Sequence, residues 1–197
     1  MMKHTPMKSI AAFKMKKSQI LTTDFFIAMF IFAVLLIFLG SLWNNHNQRR
    51  IQQHEYNDMM IKAMRITDLL VKGPGWESGA TTKWELFPAN VEVLGLATED
   101  RVLSSAKVIT FVNQVNNFGL YNFFREKLRI LPYKFWFSLK DASTGSVITD
   151  TINLEFTDAG SLPGSLEDSL ITLRRYAVYK KSDGTTQNAY MEFKIWK

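Results

Sequence analysis

The longest regularity along the chain is an apolar run from Phe25 to Trp43, in which Phe25, Phe26, Ile31, Leu35, Leu36, Leu39 and Trp43 belong to a set of large side chains distributed around a helix. No residue of the run is charged. A helix rises about 1.5 Å per residue, so about 20 such residues cover a hydrocarbon core about 30 Å thick. The run therefore predicts one membrane span over about residues 25–43, and no second stretch approaches its length. It exceeds the roughly 7–15 apolar residues of an ordinary secretory leader, and Gly40-Ser41-Leu42-Trp43 offers no cleavage site of the usual small-residue kind.

Beyond the run the pattern changes from uniformly apolar to amphipathic. From Gln48 to Leu70 neither Pro nor Gly interrupts, and Tyr56, Met59, Met60, Ala63, Ile66, Leu69 and Leu70 recur at helical spacing on one face. Between Gln19 and Lys72 only Gly40 weakens a helix, and membrane helices tolerate glycine. The pattern predicts one helix over 19–72, its first half suited to lipid and its second half to packing on a domain. Gly73-Pro74-Gly75 ends it, because glycine suits the left-handed residue after a helix and proline cannot continue one.

After that turn the periods are short. Val91–Leu96 reads as a strand, and Ser104 or Ser105 caps a helix with Val108, Phe111, Val112 and Val115 on one side. A second helical stretch from Tyr121 to Ile130 stops at Leu131-Pro132. Tyr133, Phe135, Phe137 and Leu139 alternate with Lys134, Trp136, Ser138 and Lys140, the signature of a half-buried strand, with Val147–Phe156 as its expected partner. Leu170–Tyr179 and Ala189–Trp196 flank Ser182-Asp183-Gly184 and predict a hairpin. Trp76, Trp84 and Trp196 are expected in the core, where large aromatics contribute much of the buried area. The expected fold class is α+β: a long N-terminal transmembrane and amphipathic helix packed on a C-terminal antiparallel β-sheet head with one or two short helices. The expected organisation is a basic leader over 1–18, the helix over 19–72 and the head over 73–197.

Charge adds orientation. The formal net charge is +6, but Lys3, Lys8, Lys14, Lys16 and Lys17 place five positive charges and no carboxylate in residues 1–18, leaving +1 for the rest. Excess Lys and Arg stay on the cytoplasmic side, which predicts a cytoplasmic amino terminus and an external head, although Arg49 and Arg50 follow the neutral outer flank Asn44–Gln48. A nearly neutral head gives no basic footprint for nucleic acid, and Arg174-Arg175 and Lys180-Lys181 read as solvated strand and turn positions. With no cysteine, the head has neither a disulfide framework nor a thiolate metal site. About 150 residues beyond the span suffice for one domain with its own core.

Candidate chemistry is sparse. His46 and His54 are about two helical turns apart, too far to ligate one metal directly, and His4 lies in the leader. Gly73-Pro74-Gly75-Trp76 lacks the lysine and spacing of a phosphate loop, no Gly-x-Ser-x-Gly occurs, and the adjacent Glu167-Asp168 lack a third oxygen ligand at fixed spacing. No catalytic, cofactor or metal residue is predicted. Asp24 stands at the amino-terminal edge of the apolar run, where the helix dipole favours negative charge and Thr22 or Thr23 can help to cap.

Lys16-Lys17-Ser18-Gln19 followed by Asp24 at the edge of a long apolar helix resembles the class III leader of type IV pilin-like proteins in the form typical of archaea. Ser18 stands where the family usually has glycine, and Asp24 is the sixth residue after a cut at Ser18 where the family's acid is commonly the fifth, so a cut after Ser18 or after Gln19 fits. Gly73-Pro74-Gly75-Trp76-Glu77, Val93–Ala97, Arg101-Val102-Leu103 leading to Lys107, and the stretch from Arg174 to Trp196 are similar to a recurrent archaeal surface-protein pattern in which a pilin-type helix precedes a Gly-Pro-Trp turn and a closing hairpin.

The resemblance implies a non-enzymatic subunit of a surface filament, processed by a prepilin peptidase and assembled through its apolar helix with other pilin-like subunits and an assembly platform. It implies that Asp24 pairs with the new α-amino group of a neighbouring subunit. An ordinary content of charged residues without a threonine-rich tract fits a minor subunit better than a shaft protein. The alternative is a permanently anchored single-span surface protein whose external domain binds a ligand or partner.

Overall fold

The computed structural model describes residues 9–79, 81–116, 120–149, 157–164 and 169–197, with the backbone alone for 9–22. The chain divides into two units, Met1–Gln53 and His54–Lys197. Helix α1 spans Ser9–Lys72 and stops at Gly73, as the Gly-Pro-Gly signal requires. It starts ten residues earlier than the pattern's Gln19, because Ser9–Ser18 contain no glycine or proline and are dominated by residues that a helix accepts.

In the second unit, β1 (Trp76–Glu77) pairs with β2 (Val91–Val93) as a small antiparallel ladder. The expected strand over Val91–Leu96 is thus shorter: the ladder stops at Val93, and the Leu96 N–H donates instead to the Leu70 carbonyl of α1 at 3.0 Å. Then come β3 (Ala97–Glu99), β4 (Val102–Ser104), α2 (Ser105–Asn116), α3 (Leu120–Lys127), β5 (Lys134–Asp141), β6 (Asp158–Gly160), β7 (Leu170–Lys180) and β8 (Thr186–Trp196). The sheet order is β3-β4-β7-β8-β5-β6.

The expected hairpin is the centre of this sheet: β7 and β8 pair antiparallel from Leu170↔Trp196 to Lys180↔Thr186. Gly184, at φ 84°, closes it, and the Asp183 carboxylate accepts the Thr185 N–H at 2.8 Å. The sheet is mixed rather than wholly antiparallel. β4 runs parallel to β7, because the chain crosses through α2, α3 and β5 before it returns to the same edge.

β5 has, besides the expected one, a longer partner that its local pattern does not name. The C-terminal β8 pairs with it along its whole length, Lys134↔Trp196 to Asp141↔Ala189. Of Val147–Phe156, residues 150–156 lie outside the described residues; Val147 bridges Lys140 antiparallel and the Ile148 N–H donates to the Leu139 carbonyl at 2.9 Å, as a partner of β5 would. Pairing with β8 sets β5 between that long strand and the short β6, a placement that local alternation does not encode.

The core lies on the sheet face that carries Phe135, Phe137, Leu139, Met191, Phe193 and Ile195, all at 0% exposure. Val108, Phe111, Val112 and Val115 of α2 are buried as predicted. Phe111 meets Phe124 and Phe137 edge-on at 5.6 and 5.3 Å, and Phe135 stacks on Phe193 at 5.5 Å. From α1, Met59, Ala63, Ile66 and Leu70 join this core, Met60 and Leu69 are half-buried, and Tyr56 at 48% exposure does not join it. The amphipathic stripe thus starts one turn later than its pattern suggests.

Candidate functional site

The apolar run forms the middle of α1, and by length and composition this helix is long and apolar enough to cross a membrane. Phe25, Phe26, Ile31, Leu35, Leu36, Leu39 and Trp43 are each more than half exposed, and none of the run is buried within the chain. A helix that is apolar all round requires an apolar medium, since each large side chain left in water forgoes about 1.5–3 kcal/mol of transfer free energy. Gly40 has no atom within 4 Å of where a Cβ would stand, so no packing within the chain demands it. Asp24 lies on the exposed surface of the helix immediately before the run. Lys16, Lys17, Ser18 and Gln19 fall in the helical backbone of α1, and their side chains lie outside the described residues.

The carboxyl-terminal turns of α1 belong to the head, and the residues of the Gly-Pro-Gly pattern hold them there. Leu96, Ala97 and Arg101 donate their backbone N–H groups to the carbonyls of Leu70, Gly73 and Val71 at 3.0, 3.2 and 3.1 Å, satisfying acceptors that a helix end leaves open. Gly75, at φ 67°, and Gly95 meet backbone to backbone: a Cβ on Gly95 would stand 2.1 Å from the Gly73 carbonyl oxygen. Trp84 Nε1 donates to the Gly95 carbonyl at 2.8 Å. The buried Lys107 ammonium donates to the carbonyls of Pro74 at 2.6 Å and Ala97 at 3.3 Å. Burial pushes the Lys107 pKa down, against the opposing charge of Glu85. Residues 73–75 and 95–97 thus meet Arg101, Lys107 and Trp84 at one knot, whereas the closing hairpin supplies none of these residues. Trp84 and Trp196 are core residues as expected, whereas Trp76 is 44% exposed because its place in the short β1 turns it away from the knot.

Polar links add to the docking of this helical segment. Tyr133 Oη donates to Asp58 at 3.0 Å, and Lys62 sits 2.8 Å from the same carboxylate and 4.9 Å from the Tyr133 ring centre. Burial and the neighbouring Asp58 push the Tyr133 phenol up to about 12. The Lys197 ammonium donates to Glu55 at 2.6 Å.

The outer sheet face carries a second cluster that the sequence did not mark. Trp136 and Ser138, expected to face solvent, are buried, as is Glu192 opposite Ser138. Glu192 accepts from Lys140 at 3.0 Å and Arg174 at 2.9 Å, with Lys194 at 3.6 Å, and Lys140 and Lys194 both lie over the Trp136 ring. Burial alone would raise the Glu192 pKa; the hydrogen bonds from Lys140 and Arg174 and the surrounding charge outweigh it and hold the carboxyl below its ordinary value. Arg174 and Arg175 are thus ion-paired rather than simply solvated, Arg174 with Glu192 and Arg175 with Asp68 of α1. Only the cross-strand register Arg174↔Glu192 reveals the first pair.

The head also has an open cleft of about 570 Å³ lined in part by Glu85, Thr98, Ser105, Ile109, Lys180 and Ser182. Among the described residues no group of three or more His, Cys, Asp or Glu side chains is arranged to hold a metal ion. His46 and His54 are both exposed on α1. No protein family, curated protein or solved structure matches the chain.

Proposed function

We propose that the protein is a non-enzymatic pilin-like subunit of an archaeal type IV pilus-type surface filament, more in keeping with a minor subunit than a shaft protein. The observation that carries the reading is the division of labour within α1: a run apolar on every side and exposed within the chain, followed by turns that are locked into an α+β head. In this reading the leader is cytoplasmic, the run crosses the membrane once, and the head lies outside. Prepilin peptidase cuts after Ser18 or Gln19 on the cytoplasmic side. The apolar run then exchanges lipid for the helices of other subunits at the assembly platform, and Asp24 meets the new α-amino group of a neighbour, since a carboxylate in an apolar bundle requires a partner.

The amino-terminal residue of the mature protein tests this reading, by mass spectrometry of membranes from cells expressing the chain with and without a prepilin peptidase. A new terminus at Gln19 or Ile20 that depends on the peptidase is the expected result. An intact leader overturns it and leaves a permanently anchored single-span surface protein whose head binds a ligand or partner.

A further inference from the structure

We propose that Arg49 and Arg50 form a binding site for the phosphate of anionic lipid headgroups in the leaflet on the carboxyl-terminal side of the span, with Trp43 setting their depth. The proposal rests on the membrane-spanning part of the reading above and is independent of cleavage and assembly.

Between Asp24 and Arg49 the chain carries no Asp, Glu, Lys or Arg. At 1.5 Å per residue these two charges are about 37 Å apart along α1. That length exceeds a hydrocarbon core of about 30 Å and falls just short of the about 40–45 Å that includes both headgroup layers. A helix placed symmetrically in a bilayer therefore holds Asp24 at one headgroup level and Arg49 at the other. A shift of more than about 4 Å along the axis in either direction draws a charge into hydrocarbon.

Local geometry points the same way. Trp43 is 76% exposed at the end of the apolar run, and indole rings favour the boundary between hydrocarbon and headgroups. Arg50 lies seven residues on, nearly two turns, and so shares the face of Trp43 about 10 Å further along the axis. Arg49 and Arg50 are exposed, and neither takes part in an ion pair among the described residues. No carboxylate occurs from Phe25 to His54, so no acid within that stretch competes for them, and the next acid, Glu55, is held by Lys197. Two unneutralised guanidinium groups at headgroup depth fit lipid phosphate, which accepts two parallel N–H bonds from each. An acidic protein surface is the other anion they could meet, but the match of the charge-free length to the bilayer favours lipid.

The full chain, its R49Q/R50Q variant and a charge-matched K83Q/K134Q control, altered at exposed head lysines, are reconstituted in equimolar phosphatidylcholine and phosphatidylglycerol. Flotation measures insertion, and native mass spectrometry counts the lipids each protein retains. Gln is a good helix former, so R49Q/R50Q keeps α1. The expected result is equal flotation of all three, with phosphatidylglycerol enriched around the unaltered chain and the control, and that enrichment lowered on the order of tenfold in R49Q/R50Q, where the leader lysines retain the remainder. Parity for the unaltered chain, enrichment undiminished by R49Q/R50Q, or equal loss in the control overturns the proposal while leaving the span intact. Failure of the unaltered chain to float overturns the span itself, and the lipid site with it.

Discussion

Asp68 and Arg175, 107 positions apart in the chain, meet at 3.0 Å where α1 lies against β7, and Lys72 approaches the same carboxylate at 3.4 Å. Burial works to raise the Asp68 pKa, but hydrogen bonds from Lys72 and Arg175 and their charges outweigh it, so the folded value lies below the ordinary one. A lowered folded pKa contributes stability that is complete above the unfolded value near 4 and is lost as pH falls through the folded value. Both side chains are more than a third exposed or nearly so, which limits the contribution. Asp68→Asn should cost at most about 1 kcal/mol at neutral pH. In urea unfolding of the head the difference from the unaltered chain should vanish in acid, and a double-mutant cycle with Arg175→Gln should show the coupling.

Glu192 should matter more, because its side chain is 3% exposed and three cations converge on it. Glu192→Gln removes the only carboxylate of that cluster and should cost about 3 kcal/mol. The Glu192 pKa is also lowered, so this contribution likewise persists above the unfolded value and disappears as pH falls through the folded one. Chemical denaturation across an acid titration checks both the size and the direction. A variant as stable as the unaltered chain at neutral pH contradicts the assignment.

Glycines should separate sharply by position. Gly95→Ala places a Cβ against the backbone of Gly73 and Gly75, atoms that cannot rotate away, and should cost about 3 kcal/mol or more. Gly184→Ala meets nothing within 4 Å and bears only the strain of its φ of 84°, about 1 kcal/mol. Thermal unfolding of the two variants should rank them in that order.

Trp84 at the knot and Trp76 outside it give a paired test. Trp84→Phe removes the donor to the Gly95 carbonyl from a fully buried site and should destabilise the head by about 1–3 kcal/mol. Trp76→Ala, on a side chain that is 44% exposed, should cost less. A Trp84→Phe variant as stable as the unaltered chain would mean that the indole N–H of Trp84 contributes nothing beyond ring packing; the midpoint of urea unfolding for each variant decides it.

The sequence by itself determined whatever depends on one period along one element. The apolar run Phe25–Trp43 within α1, the end of α1 at Gly73, the buried stripe of α2 and the β7–β8 hairpin all follow from apolar spacing and from glycine and proline, because these signals act between near neighbours. Tertiary structure decided what depends on which strands meet. The pairing of β5 with β8, the parallel step between β4 and β7, and the burial of Trp136, Ser138 and Glu192 on the second face arise from contacts between distant segments. The same holds for the knot at Gly75, Trp84, Gly95 and Lys107: the sequence does not mark their meeting, only each residue singly. Its role exists only because the chain brings backbone against backbone there, with space for no side chain between.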